Sequence, residues 1–198
     1  MTMTALAFAQ SWQGEAAVTE PAASRPSPSL AELVVAARGG DRDAFAAIYG
    51  RFAGAVNAVV LARVRWADCA DLVQDVFLLA WERLGAVRDP AAFPGWLMTI
   101  ARNRAIDHVR RPRLVEALPD VADLAAGPAP TAEAREVLAA IRTLPEAYRE
   151  VLLMRLVEGM SGPEIAERTG LAEGSVRVNL HRGMKLLRER LHVEEEAS

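Results

Sequence analysis

Two clusters of cationic side chains are the part of this sequence whose residue types and spacing indicate chemistry most clearly. Five arginines lie between positions 102 and 113 and are opposed only by Asp107. Five arginines and Lys185 lie between positions 168 and 190 and are opposed by two glutamates. A guanidinium presents a planar fork of donors that matches phosphate, but the use of arginine rather than lysine equally reflects a GC-rich genome, so the local excess of positive charge is the stronger signal. Both clusters therefore predict contact with nucleic acid, and the net charge of −3 does not exclude it, because binding depends on where the charges lie.

Groups suited to catalysis or metal binding are sparse by comparison. His108, His181 and His192 have neither the spacing of metal ligands nor a paired nucleophile. Cys69 is the only cysteine, so it forms no internal disulfide, and it lacks the neighbouring cations that would activate a thiol. We therefore expect no catalytic residue, no metal and no cofactor.

The composition is that of a soluble globular protein. Of the 198 residues, 52% are apolar and 25% are charged, which is enough apolar material for a core. No run of 18 or more apolar residues is present, and the first ten residues lack the basic flank of a secretory signal. We expect a cytoplasmic protein that does not insert into membranes.

The first half of the chain carries strong helix signals. Residues 1–28 lack periodicity and are predicted to form a flexible extension. Ser29 and Glu32 have the spacing of a capping box that starts a helix ending near residue 38, and a second helix follows. Further helices are predicted over 69–84 and from about 94 to 111. One face of the second helix is expected to be buried, and it consists of Phe45, Ile48, Tyr49 and Phe52.

The helix over 69–84 has two different faces. Four leucine and valine residues point inward, namely Leu72, Val76, Leu79 and Leu84. Another face repeats at intervals of four, three and four residues, and it consists of Asp71, Asp75, Leu78 and Glu82. This second face is predicted to be free to meet a partner.

The second half of the chain begins after a proline-rich, acidic segment of about 20 residues, which is longer than most connections inside a domain. Four helices are predicted beyond it, over 132–143, 145–158, 162–169 and 174–192, and no segment alternates as a strand does. We expect an all-α fold of two small helical domains joined by a flexible acidic linker. The predicted boundaries are 1–28 for the extension, 29–112 for the first domain, 113–131 for the linker and 132–198 for the second domain.

Residues 156–191 have the pattern of a helix-turn-helix. Ser161 and Glu164 repeat the capping-box spacing, and Gly170 supplies a left-handed stop before a longer basic helix. The buried stripe of that helix is predicted to be Val176, Leu180, Met184 or Gly183, Leu187 and Leu191. The cations outside this stripe would meet the DNA major groove, although an ordinary helical hairpin with a solvated basic face has the same pattern.

The helix over 93–111 combines aromatic residues with arginines, a pairing suited to single-stranded nucleic acid. Phe93, Trp96, Leu97 and Ile100 are equally well spaced to form a buried face. The arginines are harder to assign to a structural role, because like charges held close together repel without an anionic partner.

Three stretches of this chain occur in a fixed order: DLVQDVFLLAW over 71–81, FPGWLMTIARNRAID over 93–107, and the segment 144–188. Together they resemble bacterial sigma factors of the extracytoplasmic-function (ECF) group of the sigma-70 family. In that group the first stretch binds core RNA polymerase, the second recognises and opens the minus-10 promoter element, and the third reads the minus-35 element. The resemblance covers residues 29 to 192.

The resemblance implies a role for individual residues and partners. Core RNA polymerase would be bound by Asp71, Gln74, Asp75 and Leu78. The minus-10 DNA would be bound by Arg102, Asn103, Arg110 and Arg111, with the loop 85–92 holding a flipped base. The minus-35 DNA would be bound by Arg177, Val178, His181 and Arg182, with Lys185 and Arg188 directed at phosphates. The implied partners are core RNA polymerase, promoter DNA and an anti-sigma factor.

The chain departs from the group's pattern at the start of its last helix. Ala172 stands where a small polar residue is usual, so the helix lacks a capping hydroxyl worth about 1 kcal/mol. Val178 and Asn179 replace a more usual polar and basic pair. An alternative function is a stand-alone helix-turn-helix regulator whose first domain senses or dimerises, and an enzyme is a distant third.

Overall fold

The computed structural model describes residues 28–110 and 130–196. Within these residues the chain forms helices and no strand, which confirms the predicted all-α class. Arg111 and nearly all of the predicted extension and linker lie outside the described residues.

Each half of the described chain contains four α-helices. The first module comprises α1 (Leu30–Arg38), α2 (Arg42–Leu61), α3 (Cys69–Arg83) and α4 (Phe93–Arg110), with 3-10 turns at Trp66–Asp68, Leu84–Ala86 and Pro90–Ala92. The second module comprises α5 (Ala132–Thr143), α6 (Glu146–Leu156), α7 (Gly162–Thr169) and α8 (Glu173–Glu196).

Both predicted capping boxes are present. The Ser29 Oγ accepts a hydrogen bond from the Glu32 N–H at 3.3 Å, and the Glu32 carboxylate accepts one from the Ser29 N–H at 2.8 Å. Ser161 and Glu164 repeat this exchange at 3.4 and 2.7 Å. Each box satisfies amide groups that the first turn of a helix leaves unpaired, so α1 and α7 begin where the sequence predicts.

The central helix of the first module is α2. By length and composition it could cross a membrane, but half of its most apolar window is buried inside the protein, as in the core helix of a globular fold. Ile48 and Phe52 are fully buried, as predicted. Tyr49 is 41% exposed and Phe45 is only partly buried, so the expectation of one continuous buried face was wrong at this end of α2.

The two modules pack against each other and share one hydrophobic cluster. The most extensive contact between the modules is that of α2 in the first with α6 in the second. Arg142 of α5 donates hydrogen bonds to the carbonyls of Leu61 at 3.2 Å and Val64 at 2.5 Å. A cation at the end of a helix stabilises carbonyls that have no partner within the helix. Arg142 therefore fastens the second module to the C-terminal end of α2.

The environment of Cys69 predicts an unreactive thiol. Its Sγ donates to the Arg65 carbonyl at 3.3 Å, and burial raises the pKa of the thiol to about 12. Near pH 8 the reactive thiolate is then roughly one part in ten thousand of the total. We expect native protein to be alkylated by iodoacetamide at least ~100-fold more slowly than protein unfolded in guanidinium chloride. Mass spectrometry of timed samples measures both rates, and equal rates would contradict the buried position of Cys69.

Candidate nucleic-acid and partner interfaces

The longest basic helix, α8, presents its predicted DNA-facing residues to solvent. Val176 and Leu187 are buried and Gly183 lies against Tyr148 and Leu152, which confirms the predicted buried stripe. All six predicted contact residues are exposed, namely Arg177, Val178, His181, Arg182, Lys185 and Arg188. The elements against which α8 packs most extensively, α5, α6 and α7, all belong to the second module. Its cationic face is therefore free to enter a groove of DNA.

The turn before α8 is built as the sequence predicts. Gly170 ends α7 with a φ of 74°, a left-handed conformation that disfavours residues with a Cβ, and its N–H donates to the Ala166 carbonyl at 2.9 Å. Ala172 accepts the first amide bonds of α8 through its carbonyl and offers no side-chain cap. The angle between α7 and α8 is thus set by one glycine and a buried stripe.

Helix α4 carries the residues predicted to contact minus-10 DNA. Phe93, Leu97 and Ile100 are buried, and Trp96 is partly buried against the same core, so this face of α4 has a structural role. Asn103 and Arg110 are exposed, whereas Arg102 is half-buried. The hydrogen bond that Arg102 makes to Glu150 of α6 raises the pKa of the guanidinium above its usual value. Of the residues predicted to contact minus-10 DNA, Arg102 is therefore bound to the second module.

The acidic face of α3 is exposed, as predicted from its periodicity. Asp71, Gln74 and Leu78 are exposed, and Leu78 is 63% accessible, which is unusual for a leucine. Asp75 is half-buried and forms an ion pair with Arg104 of α4. Asp75 thus also links two helices of the first module, and substituting it would disturb more than the exposed face.

An open aromatic groove lies beside this acidic face and was not predicted. Four rings line it, from Phe45 and Tyr49 on α2 and from Phe77 and Trp81 on α3, together with Arg42, Gln74 and Leu78. The Tyr49 and Phe77 centroids are 4.5 Å apart, and those of Phe45 and Trp81 are 4.8 Å apart. Tyr49 was the available signal, because a tyrosine favours a site where its ring is covered and its hydroxyl reaches water. The acidic face and the groove form one continuous surface.

The contact between the modules pairs carboxylates of the second with polar groups of the first. Glu150 binds both Arg63 and Arg102, Glu167 binds Arg51, and Glu158 accepts a hydrogen bond from Asn57 at 2.8 Å. The contact also includes Arg168, whose guanidinium lies 5.3 Å from the centroid of Phe52. The structure therefore holds the modules together in a closed arrangement in which the acidic face of α3 and the cationic face of α8 are exposed and Arg102 is half-buried.

These surfaces are separate and do not converge on a single reaction centre. Among the described residues, no three histidine, cysteine, aspartate or glutamate side chains are grouped as metal ligands. The exposed groups are cations on α8 and α4 and a mixed acidic and apolar surface on α2 and α3. Such an arrangement suits binding of one anionic polymer and one protein at different positions.

Comparison with known proteins decides between the two functions that the sequence left open. Residues 48–114 match the family described as sigma-70 region 2, and residues 134–187 match the family described as sigma-70, region 4. These two matches fall on the first and second modules respectively.

Individual relatives agree with the family matches. The RNA polymerase sigma factor CarQ of Myxococcus xanthus is 36% identical over 161 residues, which span 78% of this chain and 92% of CarQ. The ECF RNA polymerase sigma factor SigF of Caulobacter vibrioides is 34% identical over 127 residues, which span 63% of this chain and 71% of SigF. The solved structure of CnrH in complex with the cytosolic domain of CnrY has 27% identity and a TM-score of 0.55, and the match covers 82% of this chain and 97% of CnrH.

The closed arrangement predicts that a bulky side chain at Gly54 of α2 would crowd the contact between the modules. A Cβ at Gly54 would lie 2.6 Å from a carboxylate oxygen of Glu158 and 3.1 Å from the Met160 Cε. We expect Gly54→Leu to separate the modules and to increase the radius of gyration measured by small-angle X-ray scattering. Gly50→Leu is the matched control, because nothing lies within 4 Å of a Cβ at that position and both changes improve helix propensity equally. An unchanged radius for Gly54→Leu would contradict the packed interface.

Proposed function

This chain belongs to the ECF group of the sigma-70 family, and on that premise we propose how its surfaces divide the work of transcription initiation. The first module binds core RNA polymerase through α3 and contacts the minus-10 element through α4. The second module reads the minus-35 element through α8. The observation that carries the proposal is that the acidic face of α3 and the cationic face of α8 are both exposed, on separate modules.

The polymerase-binding surface is proposed to be the acidic face of α3 together with the aromatic groove. The exposed carboxylate of Asp71 favours a cationic partner, and Leu78 with the rings of Tyr49 and Trp81 supplies apolar area for a partner helix. Gln74 lies between them and can both donate and accept hydrogen bonds. Electrostatic attraction would orient the polymerase, and burial of the groove would supply most of the affinity.

The DNA-binding surface is proposed to comprise α4 and α8. Arg177, Val178, His181 and Arg182 belong to the part of α8 that would meet base edges, and Lys185 and Arg188 would meet phosphates. On α4, Arg102, Asn103 and Arg110 would follow the backbone of the opened minus-10 region, with Arg111 continuing the series in sequence. Binding at two elements requires the modules to separate from the closed arrangement.

The closed arrangement also suggests how the protein is held inactive. CnrH, which shares this fold, has been solved with the cytosolic domain of CnrY bound. We propose that an anti-sigma factor acts on the present chain by stabilising the closed arrangement. The chain would act in the cytoplasm, where polymerase and DNA are found, and would contribute no catalysis of its own.

Charge reversal on α3 tests the polymerase surface. We expect Asp71→Arg to weaken binding to core RNA polymerase at least ~10-fold, because a like charge replaces an attractive one in the contact. Co-purification of tagged full-length protein with core enzyme, followed by titration, measures the effect. Asp71 is preferred to Asp75 because it is fully exposed and its substitution breaks no ion pair with Arg104.

Glu136→Arg is the matched control for Asp71→Arg, since Glu136 is an exposed glutamate of α5, outside the proposed surface. It should bind core enzyme as the wild type does. If both variants bind equally well, α3 is not the polymerase-binding helix.

Salt dependence tests the role of α8. Binding of the holoenzyme to duplex promoter DNA should weaken steeply as salt is raised, because each cation on a phosphate releases condensed counterions. We expect Lys185→Gln to reduce the slope of log affinity against log salt by about one without changing sequence preference. Electrophoretic mobility shifts over a series of salt concentrations give the slope.

Arg38→Gln provides the comparison for Lys185→Gln, because Arg38 is an exposed cation of α1, which is neither of the two proposed DNA-binding helices. Its slope should equal that of the wild type. If Lys185→Gln leaves the slope of log affinity against log salt unchanged, α8 is not part of the DNA interface.

A further inference from the structure

The most heavily bonded carboxylate in the contact between the modules is that of Glu150. It is buried in α6, with a side chain only 8% exposed. Its Oε1 accepts hydrogen bonds from Arg63 Nη2 at 2.7 Å and Arg102 Nε at 2.9 Å, and its Oε2 accepts one from Arg102 Nη2 at 2.7 Å. A single carboxylate thus satisfies two guanidinium groups from the other module.

Both arginines that surround this carboxylate belong to the first module. Arg63 follows the C-terminal end of α2, and its Nη1 donates to the carbonyl of Val59 at 2.8 Å, which fixes the guanidinium on its own helix. Arg102 projects from the middle of α4. The Arg63 side chain is only 9% exposed in the closed arrangement, and that of Arg102 is 33% exposed. In the closed arrangement both guanidinium groups therefore meet at the Glu150 carboxylate.

Two guanidinium groups that converge in this way form an anion site. Without an anion they repel each other, and a partly buried charge that loses its partner is costly. Arg63 is additionally paired with Glu146, which also belongs to α6. When the second module leaves, both carboxylates leave with it. The vacated site then favours another anion with two or more oxygens, and a phosphate diester satisfies this geometry.

We propose that Arg63 and Arg102 form a binding site for a backbone phosphate of promoter DNA, and that Glu150 occupies this site when the modules are closed. The inference rests on the proposed function, which already places Arg102 near the minus-10 DNA, and it adds Arg63, which no sequence pattern singled out. Closure and DNA binding then compete for the same guanidinium groups. Glu150 acts as an intramolecular substitute for the phosphate.

The test measures binding of the full-length protein to a fluorescent single-stranded oligonucleotide by anisotropy, over a series of salt concentrations. Glu150→Gln keeps the shape of the side chain and removes its charge, so we expect it to bind DNA about ten-fold more tightly than the wild type. Adding Arg63→Gln to Glu150→Gln should lower the affinity at least ~5-fold and reduce the salt slope by about 0.7. Adding Arg38→Gln instead should change neither quantity.

Gly54→Leu provides a second route to the same site, because it separates the modules without altering any charge. It should raise the affinity for the oligonucleotide in the same direction as Glu150→Gln. Circular dichroism confirms that each variant keeps its helices before binding is compared.

Two results would overturn the proposal. If the double variant Glu150→Gln/Arg63→Gln binds the oligonucleotide as tightly as the double variant Glu150→Gln/Arg38→Gln, then Arg63 does not bind phosphate. Wild-type affinity in both Glu150→Gln and Gly54→Leu would show that the carboxylate does not compete with DNA. Binding of wild-type protein to core polymerase is measured in parallel. If the wild-type protein does not bind core polymerase, the proposed function is contradicted. If it does bind and either of the two results above is found, only the phosphate site is overturned.

Discussion

The arrangement of the whole molecule depends on the ion cluster in which Glu150 binds Arg63 and Arg102. It joins α4 and the turn after α2 to α6, and thus ties both modules together at one buried point. Ion pairs of this kind contribute little net stability compared with apolar packing, but breaking one side of them is expensive. They therefore set which arrangement the modules adopt, while the shared hydrophobic cluster supplies most of the stabilisation.

The closed arrangement leaves the proposed surfaces in different states. The acidic face of α3, with the aromatic groove beside it, and the cationic face of α8 are already exposed, whereas part of the α4 surface is covered. If α3 and α4 act as proposed, the protein would meet polymerase before it opens and would contact the minus-10 DNA fully only afterwards. Separation of the modules would then be coupled to minus-10 DNA, because a phosphate on Arg63 and Arg102 would replace the contacts that these residues make with Glu150.

Much of this fold could be predicted because its signals are local. The capping boxes at Ser29 and Ser161, the glycine at 170 and the periodic stripe of α8 each lie within a few residues of the structure they determine. The contact between modules could not be predicted, because Glu150 lies 87 and 48 residues from the two arginines that it binds. The predicted burial of Tyr49 was wrong for a related reason. Periodicity identifies an apolar face, but the positions of the neighbouring helices decide how much of that face is covered.

The measurement that tests the central claim most directly is in vitro transcription with purified core RNA polymerase on a pool of random promoter fragments. The account predicts that the protein directs initiation at a subset of fragments, whose start sites share two upstream sequence blocks at a constant spacing, one for each module. Initiation no more selective than that of core enzyme alone would contradict it. If the start sites share only one upstream sequence block, only one of the two modules recognises DNA sequence.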